Sequence, residues 1–171
     1  FFIEEYAHTH YLFGCTQISE IAVKALSPGI NDPGTAITAI DMLSVLLSKR
    51  LPLPDLDIAP LPDQPPRLFH YEMNLDELLL LVLGPIRNYG CADVGVLVCL
   101  LQAFKNLFYH PLRAQQKSDL LKHVASVLET ADQHLSNSRD REAINQLIER
   151  INQVVEPPQR IEPLAVPANK V

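Results

Sequence analysis

The sequence is short of several things, and each shortage removes a class of protein. There is no tryptophan, there are only six glycines in 171 residues, and no apolar run exceeds the six residues of Leu78–Leu83. A bilayer-spanning helix needs about 18–20 consecutive apolar residues, so no segment here has that length. Basic residues are outnumbered, with 14 Lys and Arg against 20 Asp and Glu for a net charge of −6. They form no run and do not alternate with aromatics, so no nucleic-acid partner is expected. The three cysteines, Cys15, Cys91 and Cys99, are odd in number and make no C-x-x-C pair, which excludes a disulfide framework and suits buried thiols in a reducing compartment. H-E-x-x-H and G-x-S-x-G are both missing, so no common hydrolase motif is present. No repeat stands out, which disfavours a solenoid. The chain opens Phe1-Phe2-Ile3 without methionine or a signal-peptide pattern, and reads as part of a longer polypeptide.

What is present is apolar periodicity at helical spacing. With 47% hydrophobic and 20% charged residues the composition is globular. Residues 1–14 are mixed in period and read as an extended entry. Ile18, Ile21, Ala22, Ala25 and Leu26 then mark one helical face, and residues 33–49 carry Ala36, Ile37, Ile40, Leu43, Leu46 and Leu47 on another. Six prolines between 52 and 66 predict a surface excursion of polyproline character, with a short strand or strap at Arg67–Tyr71. Asn74-x-x-Glu77 is a capping box opening a third helix. Its Leu78–Leu83 run is apolar on nearly all faces and predicts a buried, central helix, kinked or broken at Gly84-Pro85 and ended by Gly90. Stripes from Val94 to Phe108, over 112–136, and from a Ser138 cap to Val155 complete a set of about six helices, before Pro157 and Pro158. The fold class expected is mostly α: a six-helix bundle over 1–156, with residues 52–73 as a proline-rich excursion and 157–171 as a proline-rich tail. Each fully buried Leu or Ile in such a core contributes roughly 1.5–3 kcal/mol before entropy is subtracted.

The run most specified residue by residue is Ala25-Leu26-Ser27-Pro28-Gly29-Ile30-Asn31-Asp32-Pro33-Gly34-Thr35-Ala36. Pro28 drives Ser27 out of the α region and ends one helix. Gly29 offers positive φ for the turn. Asp32 followed by Pro33 is an N-cap and a first-turn proline, starting the next helix. Gly29-x-x-x-x-Gly34-Thr35 has the glycine spacing of a phosphate loop, but the lysine is missing, a helix precedes it, and Asp32 puts a negative charge where phosphate would sit.

The candidate ligand-binding residues are Lys24, Asn31, Asp32, Thr35 and Asp41, polar groups that the corner could gather into one small site. The competing reading is a corner satisfied by its own hydrogen bonds. His8 and His10 would face one way only on a strand, and no further ligand follows at metal spacing; packed or surface histidines are the better reading. No catalytic residue, metal site or cofactor is expected.

The stretch from Ile21 to Ala36 resembles the A-L-S-P-x-I-N-D-P-x-T-A signature of a large family of bacterial predicted membrane proteins, in which transmembrane helices precede a soluble region. The resemblance extends more loosely through Ile86-Arg87-Asn88-Tyr89-Gly90 to about residue 155. Two positions depart from the pattern: Lys24 stands where the family usually has arginine, and Gly34 where it often has an aromatic. A lysine keeps the charge but loses the bidentate fork. The resemblance implies a non-catalytic cytosolic domain of a bacterial inner-membrane protein, acting in assembly, gating or regulation. Its expected partners are the transmembrane region of the same longer chain and further copies in a homo-oligomer. The rival reading is a small-ligand sensor or enzyme domain with its polar site at the corner.

Overall fold

A computed structural model describes residues 3–53, 56–58, 69–71, 73–157 and 159–167; for residues 3–10 and the two short strands it describes the backbone path alone. Among these residues the elements are α1 (Ile3–Ala25), α2 (Pro33–Arg50), β1 (Leu56–Ile58), β2 (Phe69–Tyr71), α3 (Leu75–Tyr89), α4 (Val94–Phe108), α5 (Ala114–His134) and α6 (Ser138–Asn152). The chain is a mostly-α bundle in three layers. α1 and α2 form an outer antiparallel pair, α3 and α4 the middle, and α5 and α6 the far side. α4 touches α2, α3, α5 and α6.

The first helix corrects the extended entry expected for residues 1–14, because α1 begins at Ile3. Its inward stripe is Cys15, Ser19, Ala22 and Ala25, small and partly polar residues that a count of large aliphatics passes over. Ser19 Oγ donates to Val82 O at 2.6 Å, and Tyr11 Oη to Leu46 O at 3.1 Å, so α1 is keyed to α3 and α2 by polar side chains. Ile21, counted as inward from the sequence, is instead exposed.

α3 opens as its capping box requires: Asn74 Oδ1 accepts from Glu77 N at 2.9 Å, and Glu77 Oε2 from Asn74 N at 3.1 Å. Two expectations for it fail. Leu80 and Leu81 are 59% and 41% exposed, so α3 has an outer face, and the hub is α4, which buries eight of its fifteen residues. Nor does Pro85 break the helix, which runs unbroken from Leu75 to Tyr89. The carbonyl that loses its N–H partner to Pro85 is that of Leu81, an exposed residue, so water can satisfy it.

Gly90 caps α3 with φ −93°, so its need is not for the left-handed region that a helix-ending glycine usually supplies. A Cβ there would sit 2.5 Å from Val96 Cγ1 and 3.1 Å from Ile86 O. The glycine lets the end of α3 close onto the first turn of α4. Gly90→Ala should therefore cost about 1–3 kcal/mol as overpacking, read as a lowered midpoint in urea denaturation.

The α2 end is tied down by more than the helix dipole. Arg50 is buried and donates to Leu53 O at 3.0 Å and to Met73 O at 3.5 Å, joining the two ends of the proline-rich excursion. Gln116 Nε2 donates to Leu51 O at 3.0 Å from α5. Within the excursion β1 and β2 pair antiparallel, Asp57 opposite His70; the rest of the expected polyproline stretch lies outside the described residues. At α6 the cap is Asn137, one residue before the Ser138 expected, its side chain accepting from Arg139 N at 2.9 Å.

Candidate functional site

The corner between α1 and α2 is built as a chain of local hydrogen bonds. Ile30 N and Asn31 N both donate to Ser27 O, at 3.0 and 2.9 Å, and Asp32 N donates back to Ala25 O at 2.8 Å. Ser27 Oγ donates to Lys24 O at 2.6 Å. The residue that takes the left-handed conformation is Asn31, at φ 49°, and not Gly29 as the sequence suggested. Asparagine tolerates this region better than other side chains. Gly29 has open space where a Cβ would stand. Gly29→Ala should leave the fold intact or stabilise it by up to about 1 kcal/mol, through lost freedom of the unfolded chain. Asn31→Val should destabilise it by about 1–2 kcal/mol; paired thermal melts check both.

Asp32 caps α2 with both oxygens. Oδ1 accepts from Thr35 N at 3.1 Å, and Oδ2 from Thr35 Oγ1 at 2.5 Å. The Thr35 hydroxyl, then its N–H, holds the Asp32 carboxyl below the ordinary carboxylate range. A depressed folded-state pKa stabilises above the unfolded value, so the cap's contribution is full at neutral pH. It is lost as pH falls through the folded-state value in the acid limb.

Of the five sequence-predicted site residues, Asp32 and Thr35 meet. Lys24 and Asn31 are exposed, and no side-chain hydrogen bond or ion pair joins them to that pair among the described residues. Asp41 lies six residues beyond Thr35, about 9 Å along α2. There its Oδ1 is 3.6 Å from Cys99 Sγ on α4. Burial, then the Asp41 charge, pushes the Cys99 thiol up to about 12, so it stays protonated and donates. Burial likewise raises the Cys15 thiol and the Tyr11 phenol. His8 and His10 lie on the helical backbone of α1. Among the described residues no cluster of three or more His, Cys, Asp or Glu could hold a metal ion.

The polar constellation that sequence reading missed is on α6. Asn152 accepts from Ile161 N and donates to Ile161 O, both at 2.8 Å. Asn145 does the same for Leu164, at 2.7 and 2.9 Å. Arg141 Nε donates to Ala165 O at 2.6 Å. Residues 159–167 thus run back along α6 as an extended strap held by two carboxamides acting like the edge of a β-strand. The register follows from geometry: seven helical residues rise about 10.5 Å, and three extended residues span about 10 Å. Beside the strap an open hollow of about 650 Å³ remains, floored by Ile148 and flanked by Glu142, Glu149 and Arg160. The sequence signal was the i, i+7 spacing of Asn145 and Asn152, but nothing in it names the strap as their partner.

A second hollow, about 320 Å³, lies between α3 and α5 and is lined by Arg87, Asn88, Thr130 and His134 among others. His123 Nε2, on α5, meets Asp76 Oδ1 of α3 at 2.9 Å.

A helical bundle with a capped corner, and no helix among the described residues long and apolar enough to cross a membrane, defines the architecture. The chain belongs to the predicted membrane protein family DUF2254, whose model matches residues 2–106. That match takes in the corner and ends inside α4. An uncharacterized protein of Mycobacterium tuberculosis is 30% identical over 157 residues, covering 88% of this chain and 29% of the relative; an uncharacterized protein of Mycobacterium bovis matches to the same extent. The chain therefore spans under a third of the curated relatives it matches. No solved structure matches it.

Proposed function

We propose that the chain is a non-catalytic domain of a larger bacterial inner-membrane protein, lying on the cytoplasmic side and acting in its assembly, gating or regulation. The observation that carries this reading is the corner. Asp32 and Thr35 are engaged with each other and with the first turn of α2, and Asn31 serves a backbone conformation, so the most specified run in the sequence has a structural role in setting α1 against α2. Membership of a membrane-protein family, with the match covering under a third of the relatives' length, supports a larger chain around this domain. The outer layer supports docking within that chain: Phe13 and Ile21 on α1, and Met42 and Val45 on α2, are more than half exposed. Its transmembrane region is the partner this reading names.

A small ligand held at Lys24, Asn31, Asp32, Thr35 and Asp41 is the competing reading, and one pair of variants separates the two. In the full-length protein, Asn31→Ala and Asp32→Ala should lower the melting temperature, while function falls only in step with the folded fraction. Function lost on an unchanged melting curve would overturn the structural role and favour the ligand.

A further inference from the structure

We propose that the hollow between α3 and α5 is a binding site for a compact oxyanion, the phosphate or carboxylate group of a small ligand, with Arg87 as its principal contact. The observation that points to a ligand is an orphaned donor. Arg87 Nε is buried and has no hydrogen-bond partner among the described residues. A guanidinium donates and never accepts, so this N–H can be satisfied only by an acceptor brought to it. Among the described residues Arg87 makes no ion pair, and its side chain has one partner: Asn88 Oδ1, which accepts from Nη2 at 3.1 Å. That bond fixes one corner of the planar fork and leaves the rest of it unused.

The facing wall has the same imbalance. Ser126, Thr130 and His134 stand at i, i+4 and i+8 on α5, so one helical face brings two hydroxyls and an imidazole to the hollow beside the last turn of α3. The backbone acceptors nearby are taken. Ser126 O receives the Thr130 hydroxyl and Thr130 O the His134 Nδ1–H, both at 2.9 Å; Ala131 O and Ile86 O receive the N–H groups of Leu135 and Gly90, both at 2.8 Å. The donors are spare: Arg87 Nε, Asn88 Nδ2 and the Ser126 hydroxyl have no acceptor among the described residues, and His134 Nε2 is a further donor in the imidazolium form. Glu129 also lines the hollow, but its Oε1 accepts from Gln133 Nε2 at 3.5 Å and not from Arg87. Spare donors around a guanidinium fit a guest that only accepts, which an ionised phosphate or carboxylate does. The space fits as well: about 320 Å³, against roughly 30 Å³ for one water, admits an oxyanion with a substituent attached. None of the corner's residues takes part, so failure here would leave the structural role of the corner standing.

Titration of the isotope-labelled 171-residue chain, followed by nuclear magnetic resonance, tests this. Sodium phosphate and sodium acetate are added separately, at an ionic strength held constant with chloride. The Arg87 Nε–H signal, assigned by its loss in Arg87→Gln, should shift saturably with at least one of them. The backbone amides of residues 126–134 should shift with the same midpoint, and that midpoint should weaken at least about tenfold in Arg87→Gln. Ser126→Ala, which leaves the guanidinium in place, should weaken it at least about threefold, and Lys105→Gln, a cation on α4 outside the hollow, should leave it unchanged. Tighter binding of phosphate assigns a phosphorylated ligand and tighter binding of acetate a carboxylic acid; either supports the site. An Arg87 signal that neither anion moves up to about 50 mM overturns the proposal, as does binding weakened equally by Lys105→Gln. If Arg87→Gln fails to fold, the parent and Ser126→Ala decide: an Arg87 shift that weakens with the hydroxyl removed supports the site, and an unchanged midpoint overturns it.

Discussion

Phe104→Ala should lower the stability of the chain by about 3–5 kcal/mol, a large part of what a domain of this size has. Phe104 is 1% exposed and sits on α4, the helix packed against α2, α3, α5 and α6. Its ring centroid is 6.0 Å from that of His123 on α5, whose imidazole in turn meets Asp76 at the start of α3. Truncation thus leaves a cavity where three helices converge, and the surrounding elements cannot all collapse into it. Phe104→Leu keeps most of the volume and should cost under about 1.5 kcal/mol. Urea denaturation with an unchanged slope would assign the difference to the folded state. A loss near 1 kcal/mol for the alanine variant would mean that α4 is not the hub.

The second large effect is expected at Arg141, whose side chain is 9% exposed. Its Nη1 donates to Leu135 O at 2.8 Å and to Asp132 O at 3.3 Å, satisfying carbonyls at the end of α5 that have no helical partner. Its Nη2 pairs with the Asp132 carboxylate, and its Nε holds Ala165 O. Arg141→Met fills similar space with no donor. The Asp132 side chain is 61% exposed and regains water, so the cost arises at the carbonyls and the strap: about 3 kcal/mol, at roughly 1.5–3 kcal/mol for a hydrogen bond to a charged group. Arg141→Lys keeps the charge without the fork and should fall between. Amide exchange at residues 161–165 should accelerate in both variants, more in Met. Protection that is unchanged there would show that the strap is held by the asparagines alone.

The sequence was legible where one residue's chemistry forces one local outcome. Asp32-Pro33 and Asn74-x-x-Glu77 start helices because side-chain acceptors at those positions have a defined backbone donor to meet, and both bonds are present. The aliphatic stripes gave α2, α4, α5 and α6. It was misleading where burial depends on what lies opposite. Leu80 and Leu81 belong to a continuous apolar run yet face outward, while Ser19 and Cys15 are buried because α1 approaches α3 and α2 closely. The turn residue was misread because Gly29 permits positive φ, whereas hydrogen bonds from Ile30 and Asn31 to Ser27 place that conformation two residues later. The α6 ladder was out of reach for a different reason: Asn145 and Asn152 look like ordinary surface amides until a strap 9 to 19 residues away lies across them.

For the corner, the reading at stake is that Asp32 acts as a helix cap and not as a ligand contact. Serine can cap a helix as aspartate does, without the charge. In the protein that carries this domain, melting temperature and function are to be measured side by side for Asp32→Ala and Asp32→Ser. The cap reading predicts that alanine lowers the melting temperature, that serine restores it, and that function follows the folded fraction in both. A serine variant that melts like the parent but has lost function would contradict it, and would place chemistry at the corner.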